Sequence, residues 1–396
     1  WFIKIKKKIL DIFFKSKRFK PYDKIICDFI EDLSKKLLSY KNLPDYPDLY
    51  YFAFWCRKSN IQKKKNQFLK NFSNRKSLGL IFHVPPSNIP TNFAYSFIFG
   101  LLTGNNNIIR VSKKTEPHSK IILKAIKSIS KNKYKEIYNF NHFLYYEKDL
   151  LINEKISRSV DARMIWGSNQ TINSFKKFKT KPYCKDFNFF ERFSICLLNS
   201  NKISNLNDFE LQNFLKNFYN DTYLTDQAAC SSPRIIYWYG KNIKSIQVFF
   251  WSKMLAFLKK QPFSLNEYTA IDKDVFSILN FEKNKDFIKD YFNYENLINI
   301  INLKKVPSNI DNFKGSNGFF YQYDLKKLNE INKTVNRNYQ TLTYFGFSKK
   351  QIEKIILNKN LKGIDRAVPV GQSLNLDMNW DGIDLNNCLT REVVIL

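Results

Sequence analysis

One short stretch of the 396-residue chain has the make-up of a nucleophile's seat: Asp226-Gln227-Ala228-Ala229-Cys230-Ser231-Ser232-Pro233-Arg234, running into the apolar Ile235-Ile236-Tyr237-Trp238. Small neighbours leave the Cys230 sulfur open to a bulky electrophile, and backbone N–H groups in such a turn hold an anion and lower a thiol pKa. The chemistry this permits is covalent: a thiolate that accepts a group and passes it on. Cysteine is also among the most buried residue types, so the stretch alone suits an inert core thiol as well. Which reading applies depends on the partners the rest of the chain supplies.

Candidate partners come at the ends of predicted strands. The run 78–84 is apolar and stops at Pro85-Pro86, where proline removes backbone donors. Ser87-Asn88-Ile89-Pro90 follows, then a predicted helix over 93–102 with Gly104 in the C-cap place. A strand over 107–111 leads to Ser112-Lys113, with a helix over 121–129; a strand over 162–166 leads to Gly167-Ser168 and a helix over 171–178. The run 193–198, a helix presenting Leu211, Phe214, Leu215 and Phe218 on one face, a strand over 235–239 and a helix over 246–258 continue the alternation. Strand–helix alternation predicts an α/β protein with open, mostly parallel sheets, whose ligands bind beyond the carboxyl ends of the strands. Asn88, Arg110 and Gly167 then share one rim. Asn88 either caps the following helix or points its amide at a ligand, and Arg110 either ends a strand at the surface or contacts a cofactor. His83, in an apolar strand, reads as a satisfied structural histidine, and the other five cysteines read as buried thiols.

Length and a 44% hydrophobic content provide for two domains with real cores. The expected division is a helical covering segment over 1–76, a cofactor domain over 77–222, a nucleophile domain over 223–371 and a tail over 372–396 that packs back or oligomerises. The net charge of +30 would suit phosphate-rich partners, but the lysines are scattered among abundant Asn, Ile and Phe, and no nucleic-acid motif accompanies them. They read as compositional drift, with no nucleic-acid partner. Six cysteines without a CxxC pair, and three histidines, argue against a disulfide framework or structural zinc and for a reducing cytoplasm. The basic start, Trp1 to Leu10, is too interrupted by lysine to span a bilayer and reads as a docked terminal helix or a membrane-surface one. Because the first residue is Trp1 rather than Met, targeting is not read from it. Residues 261–330 are rich in Asn and Lys and show no readable pattern.

The chain has neither G-x-G-x-x-G nor a Walker loop. Instead, Pro85-Pro86-Ser87-Asn88-Ile89-Pro90, Gly104-Asn105, Arg110-Val111-Ser112-Lys113, Trp166-Gly167-Ser168-Asn169, Ala229-Cys230-Ser231-Ser232-Pro233, Asp365-Arg366-Ala367-Val368-Pro369-Val370-Gly371 and Trp380-Asp381-Gly382 follow one another in order. This set resembles the aldehyde dehydrogenase superfamily and, within it, the acyl-CoA or acyl-protein thioester reductases of LuxC type, from about residue 77 to the end. The resemblance implies the aldehyde-dehydrogenase fold, two open mostly parallel α/β sheets, and a soluble, often oligomeric enzyme partnered with an acyl-protein synthetase. It also implies Cys230 as nucleophile, the Asn88 amide and the Cys230 N–H as oxyanion donors, Arg110 on the cofactor ribose with Ser112 and Lys113 beside it, and Gly167 and Ser168 at a helix facing the cofactor phosphates. No metal is required.

Departures from the superfamily pattern refine the expectation. Gln227 lies three residues before the nucleophile, where many members have glutamine two before it, and it receives no role. The water-activating glutamate has no clean counterpart, Glu191 being displaced; a reductase working between thioester and aldehyde does not need that base. Where NADH-preferring members place a ribose-binding glutamate stands Lys113, with Lys114 next, and an ammonium attracts a 2′-phosphate, so the expected cofactor is NADPH. The expected reaction is reduction of an acyl thioester to an aldehyde through a Cys230 acyl-enzyme. The alternative is a degenerate homologue that binds a cofactor or an acyl synthetase without turnover. Asp365 and Arg366 read as an ion pair that shapes the interface between domains, with a direct substrate role as the alternative.

Overall fold

The computed structural model describes residues 2–4, 18–72, 74–146, 149–261 and 267–396. They form two compact units, one holding the chain up to Phe190 together with Leu376–Leu396, the other Glu191–Asn375.

The first unit is built on a sheet of β1 (Phe2–Lys4), β3 (Leu80–Val84), β4 (Asn106–Val111), β5 (His142–Tyr145), β6 (Ala162–Trp166) and β7 (Lys185–Phe189), with β2 (Arg75–Ser77) outside it. Its order is β1-β5-β4-β3-β6-β7 and every pairing is parallel. The chain moves from β3 outward through β4 and β5, then returns to β6 on the other side of β3. This reversal opens a crevice beyond the carboxyl ends of β3 and β6. The expected terminal helix is a strand over Phe2–Lys4, and the rest of Trp1 to Leu10 lies outside the described residues.

Between β3 and β4 runs the helix Asn92–Leu102, which buries every residue from Phe93 to Leu102. Its N-cap, Thr91, makes no side-chain capping bond. A missing cap costs about 1 kcal/mol, whereas each large apolar side chain buried contributes roughly 1.5–3 kcal/mol, so packing decides this helix. The helices Lys24–Leu38, Pro47–Trp55 and Lys58–Asn71 join the same core, with Phe29 edge-on to Phe97 at 6.3 Å between ring centres. The described helices within residues 18–72 are therefore core of the first unit rather than a cover over it. Gly104, at φ +80°, follows the helix where a Cβ would meet the Phe19 carbonyl oxygen at 2.4 Å.

The second unit carries a seven-stranded sheet of β8 (Phe193–Asn199), β9 (Pro233–Tyr239), β10 (Ile288–Tyr294), β11 (Ile298–Leu303), β12 (Phe319–Asp324), β13 (Tyr339–Phe345) and β14 (Arg366–Pro369). The order is β10-β11-β12-β9-β8-β13-β14, parallel throughout except for the antiparallel β10–β11 pair. The division falls at Phe190/Glu191 and not at 222/223, because β8 is hydrogen-bonded between β9 and β13. The helix Asp208–Asp221 packs Leu211, Phe214, Leu215 and Phe218 against Trp238, Phe250 and Trp251 of the same unit. At the far end, the Asp221 carboxylate accepts the N–H groups of Gly371 and Ser373, at 2.7 and 2.8 Å, so the expected tail over 372–396 begins in the second unit. From Leu376 the chain belongs to the first: Trp55 Nε1 donates to the Leu376 carbonyl, Asn105 Nδ2 to that of Leu389, and Thr390–Glu392 pairs antiparallel with β2.

A buried polar chain ties β3 to β4. His83 Nε2 lies 2.8 Å from Asn107 Oδ1 and Nδ1 lies 2.7 Å from Ser96 Oγ, while Asn107 Nδ2 donates to Asn141 Oδ1. Because Asn107 Oδ1 can only accept, the network assigns the ring proton to Nε2. Burial pushes the His83 pKa down to about 4. The unfolded ring titrates near 6.5, so the stability contributed by the neutral ring is complete above that pH and is lost as pH falls towards 4, on the order of 3 kcal/mol in all. His83→Gln lacks this component. The gap between wild-type and His83→Gln unfolding free energies in urea is expected to narrow between about pH 7 and pH 4.5; a constant gap would show that the ring's protonation does not limit stability.

Candidate active site

The rim expected of the first unit exists. Asn88, Ser112 with Lys113, and Gly167 with Ser168 follow the carboxyl ends of the adjacent strands β3, β4 and β6, and Arg110 is the last residue but one of β4; the registers align Val84 with Ile165 and His83 with Ile109. Asn88 is exposed in the turn after Pro85-Pro86, and the helix N-cap is Thr91, three residues on. The Arg110 guanidinium lies over the Tyr146 ring at 5.3 Å, and the Tyr146 hydroxyl donates to Asn153. Ser112 caps the short turn Lys113–Thr115, its hydroxyl accepting from the Lys114 N–H. Lys113 is exposed, with its ammonium 5.8 Å from the Tyr145 ring centre. Ser168 caps the helix Asn169–Lys176, accepting from the Thr171 N–H at 3.3 Å. At Gly167 a Cβ would crowd Thr171 at 3.2 Å, which keeps the approach to that helix end to bare backbone. Beside it, Trp166 stacks on Phe189, centres 3.9 Å apart and planes 13° off parallel.

Cys230 lies in the second unit, in the turn between Asp221 and β9, and the turn is held by one of its own side chains and by side chains from β8 and β9. Asp226 and Gln227 both adopt left-handed backbone, at φ +51° and +54°. Such conformations are costly for residues other than glycine and persist only where neighbours over-determine them. Here Gln227 supplies that restraint: Oε1 accepts the N–H groups of Gly318 and Phe319 at 2.8 and 3.1 Å, and Nε2 donates to the carbonyls of Pro233 and Phe319. Ser194, on β8, donates its hydroxyl to the Cys230 carbonyl at 2.6 Å and accepts the Thr341 N–H. Arg234, on β9, donates to the carbonyls of Gln227, Ala229, Ser232 and Gly315. The N–H groups of Ala229, Cys230 and Ser231 meet no acceptor among the described residues. Nor does the buried Ser232 hydroxyl.

Cys230 is half-buried, and it sits at the amino ends of β8, β9 and β12 rather than at carboxyl ends. Of the other five cysteines, Cys56 and Cys196 are buried as expected, whereas Cys27, Cys184 and Cys388 are half-buried. Burial raises the pKa of all five, that of Cys184 to about 11. Glu191 is engaged by Lys314 at 3.2 Å. Asp365 does not pair with Arg366, because successive residues entering a strand point to opposite faces. Asp365 meets Arg192 at 2.7 Å and Arg337 at 3.3 Å, while Arg366 donates to the carbonyls of Gln372, Ser373 and Asn375. Sequence reasoning left Ser194, Gln227 and Arg234 without roles. The readable signal was a charge set into an apolar strand, Pro233-Arg234-Ile235-Ile236.

The acyl-CoA reductase (LuxC) family model matches residues 58–286. The chain belongs to that family. No curated protein sequence matches it. Among solved structures it is similar to aldehyde dehydrogenase 21 from Physcomitrella patens in complex with succinate, at 11% identity and a TM-score of 0.62, covering 90% of this chain and 79% of that one. It is similar to lactaldehyde dehydrogenase from Escherichia coli at 12% identity and 0.61, covering 90% and 80%. It is also similar to the glyceraldehyde-3-phosphate dehydrogenase GapN from Methanocaldococcus jannaschii complexed with NADP, at 13% and 0.59, covering 90% and 82%. The fold of this LuxC family member is that of the aldehyde dehydrogenases, and its chemistry is that of an aldehyde-acting oxidoreductase.

Removing the Gln227 amide strands two buried N–H groups and two carbonyls. Gln227→Ala is expected to lower the unfolding free energy by about 3 kcal/mol, read from chemical denaturation. A loss below about 1 kcal/mol would mean that the turn is held without it.

Proposed function

We propose that the protein reduces an acyl thioester to an aldehyde with NADPH, through an acyl group carried on Cys230. The observation that carries the reading is the nucleophile turn: its carbonyls are taken up by Arg234 and Ser194, while the N–H groups around the sulfur are left without acceptors among the described residues. Such N–H groups stabilise a negative charge that develops on a carbonyl oxygen, and a single donor of this kind is worth about 3–4 kcal/mol in the transition state. Family membership supports an acyl-CoA donor; a protein-bound thioester presents the same reacting atoms.

The residues at the first unit's rim fit a phosphorylated dinucleotide: two cations, Arg110 and Lys113, and a capped helix end at Ser168 stand on one sheet edge. Arg110 and Ser112 are assigned to the ribose, Lys113 to the 2′-phosphate, and Gly167 and Ser168 to the pyrophosphate. The NADP in the GapN relative supports a nicotinamide in this fold. When bound, reduced nicotinamide supplies a hydride to an acyl carbonyl.

Cys230 as thiolate attacks the thioester carbonyl, and the donor leaves as a thiolate of its own. The Cys230 N–H is assigned to the oxyanion, and Asn88 is carried as a second donor by the family resemblance alone. After reduction, collapse of the thiohemiacetal on Cys230 releases aldehyde and restores the thiolate.

A radiolabelled acyl-CoA is expected to mark the wild type, with the label on the Cys230 peptide, and to leave Cys230→Ser unmarked; a labelled serine variant would remove the assignment. Lys113→Glu puts a carboxylate where a 2′-phosphate would lie. It is expected to lower the NADPH-to-NADH ratio of kcat/KM by about tenfold or more, the effect of roughly 1.4 kcal/mol. An unchanged ratio would place the 2′-phosphate elsewhere.

A further inference from the structure

Arg234 is 6% exposed, the second residue of a strand otherwise apolar, and carries a guanidinium taken out of water. All four of its hydrogen bonds go to backbone carbonyls: Nε to Gly315 at 3.1 Å, Nη1 to Ala229 at 3.3 Å and Ser232 at 3.2 Å, and Nη2 to Gln227 at 2.6 Å. No carboxylate pairs with it among the described residues. A buried cation without a counter-ion is strongly unfavourable, so its retention calls for an anion in at least one working state of the protein.

Three of those carbonyls bracket Cys230 in sequence, at 227, 229 and 232. We propose that Arg234 is the positioning residue of the nucleophile: its guanidinium fixes the turn's backbone and finds its counter-ion in the Cys230 thiolate. The proposal rests on the reading of Cys230 as nucleophile. Burial works against the Arg234 charge, and the charges that favour it are those of Cys230 first and Glu191 second. Glu191 is already engaged by Lys314, and the Arg234 hydrogen bonds to the Ala229 and Ser232 carbonyls set the guanidinium against the backbone on both sides of Cys230. The two functions are separable. The planar fork sets the geometry, and the charge holds the thiolate.

The test follows iodoacetamide alkylation of Cys230 by peptide mapping across pH in the wild type, Arg234→Gln and Arg234→Lys, with acylation by acyl-CoA measured alongside. In Arg234→Gln the alkylation midpoint is expected to rise by about one unit, with a roughly tenfold fall in rate near pH 7. In Arg234→Lys the midpoint stays near that of the wild type, but acylation slows by about tenfold, because one ammonium cannot hold four carbonyls. An unchanged midpoint in Arg234→Gln overturns the counter-ion role. Unchanged acylation in Arg234→Lys overturns the positioning role, and it does so even if Arg234→Gln fails to fold. NADPH binding, read by fluorescence, is expected to persist in both. Alkylation needs no acyl donor, so shifted midpoints in a protein that takes no acyl group would retain Arg234's role and remove the thioester reading.

Discussion

A buried peptide group calls for a hydrogen-bond partner, and the turn carrying Cys230 meets that demand for its carbonyls with side chains rather than with a ladder or helix. Gln227 imitates a strand, accepting from and donating to backbone at the starts of β9 and β12, while Ser194 and Arg234 take up the remaining carbonyls. The result is an irregular backbone as fixed as a regular one. It also leaves donors around the sulfur uncommitted, which a regular ladder could not do. Rigidity and chemical availability come from the same set of bonds.

The first unit solves a different problem. Its rim is made by the ends of three parallel strands, so the rim residues are only as well placed as the strands are registered. The His83–Asn107–Asn141 chain fastens the register, and Gly100 packs so closely that a Cβ would reach Asn107 Oδ1 at 1.9 Å, which leaves room only for glycine at that position of the facing helix. Parallel strands buried on both faces have few sequence-specific contacts to set their alignment, and a polar chain in the core supplies one.

Many strands and helices of the first 260 residues were legible because each is a plain apolar run with punctuation, whereas the short strands β1, β5 and β7 were not. Pro85-Pro86 ends β3, Gly104 ends a helix, and the buried stretches 162–166 and 193–199 are strands. The boundary between the units was not legible, since β7 passes to β8 across residues 190–192 without glycine or proline to mark the change. Residues 261–330 resisted reading for a physical reason. The helix Glu267–Asn284 buries Lys273, Ser277, Asn280 and Asn284 and exposes Ile271, Val275, Ile278 and Leu279, the reverse of the pattern from which helix faces are inferred. Cys230, Asn88 and the rim cations could be picked out by residue type and position. The residues that hold the nucleophile turn could not, because their work is done through backbone atoms that leave no motif.

The first unit is interrupted by the whole of the second, and this orders events during synthesis. As the chain leaves the ribosome, Glu191–Asn375 is complete before Leu376–Leu396 has been made. Until then β2 lacks its partner strand and the Asn105 amide lacks the Leu389 carbonyl, 284 residues downstream. The half of the molecule translated first is therefore the half that closes last.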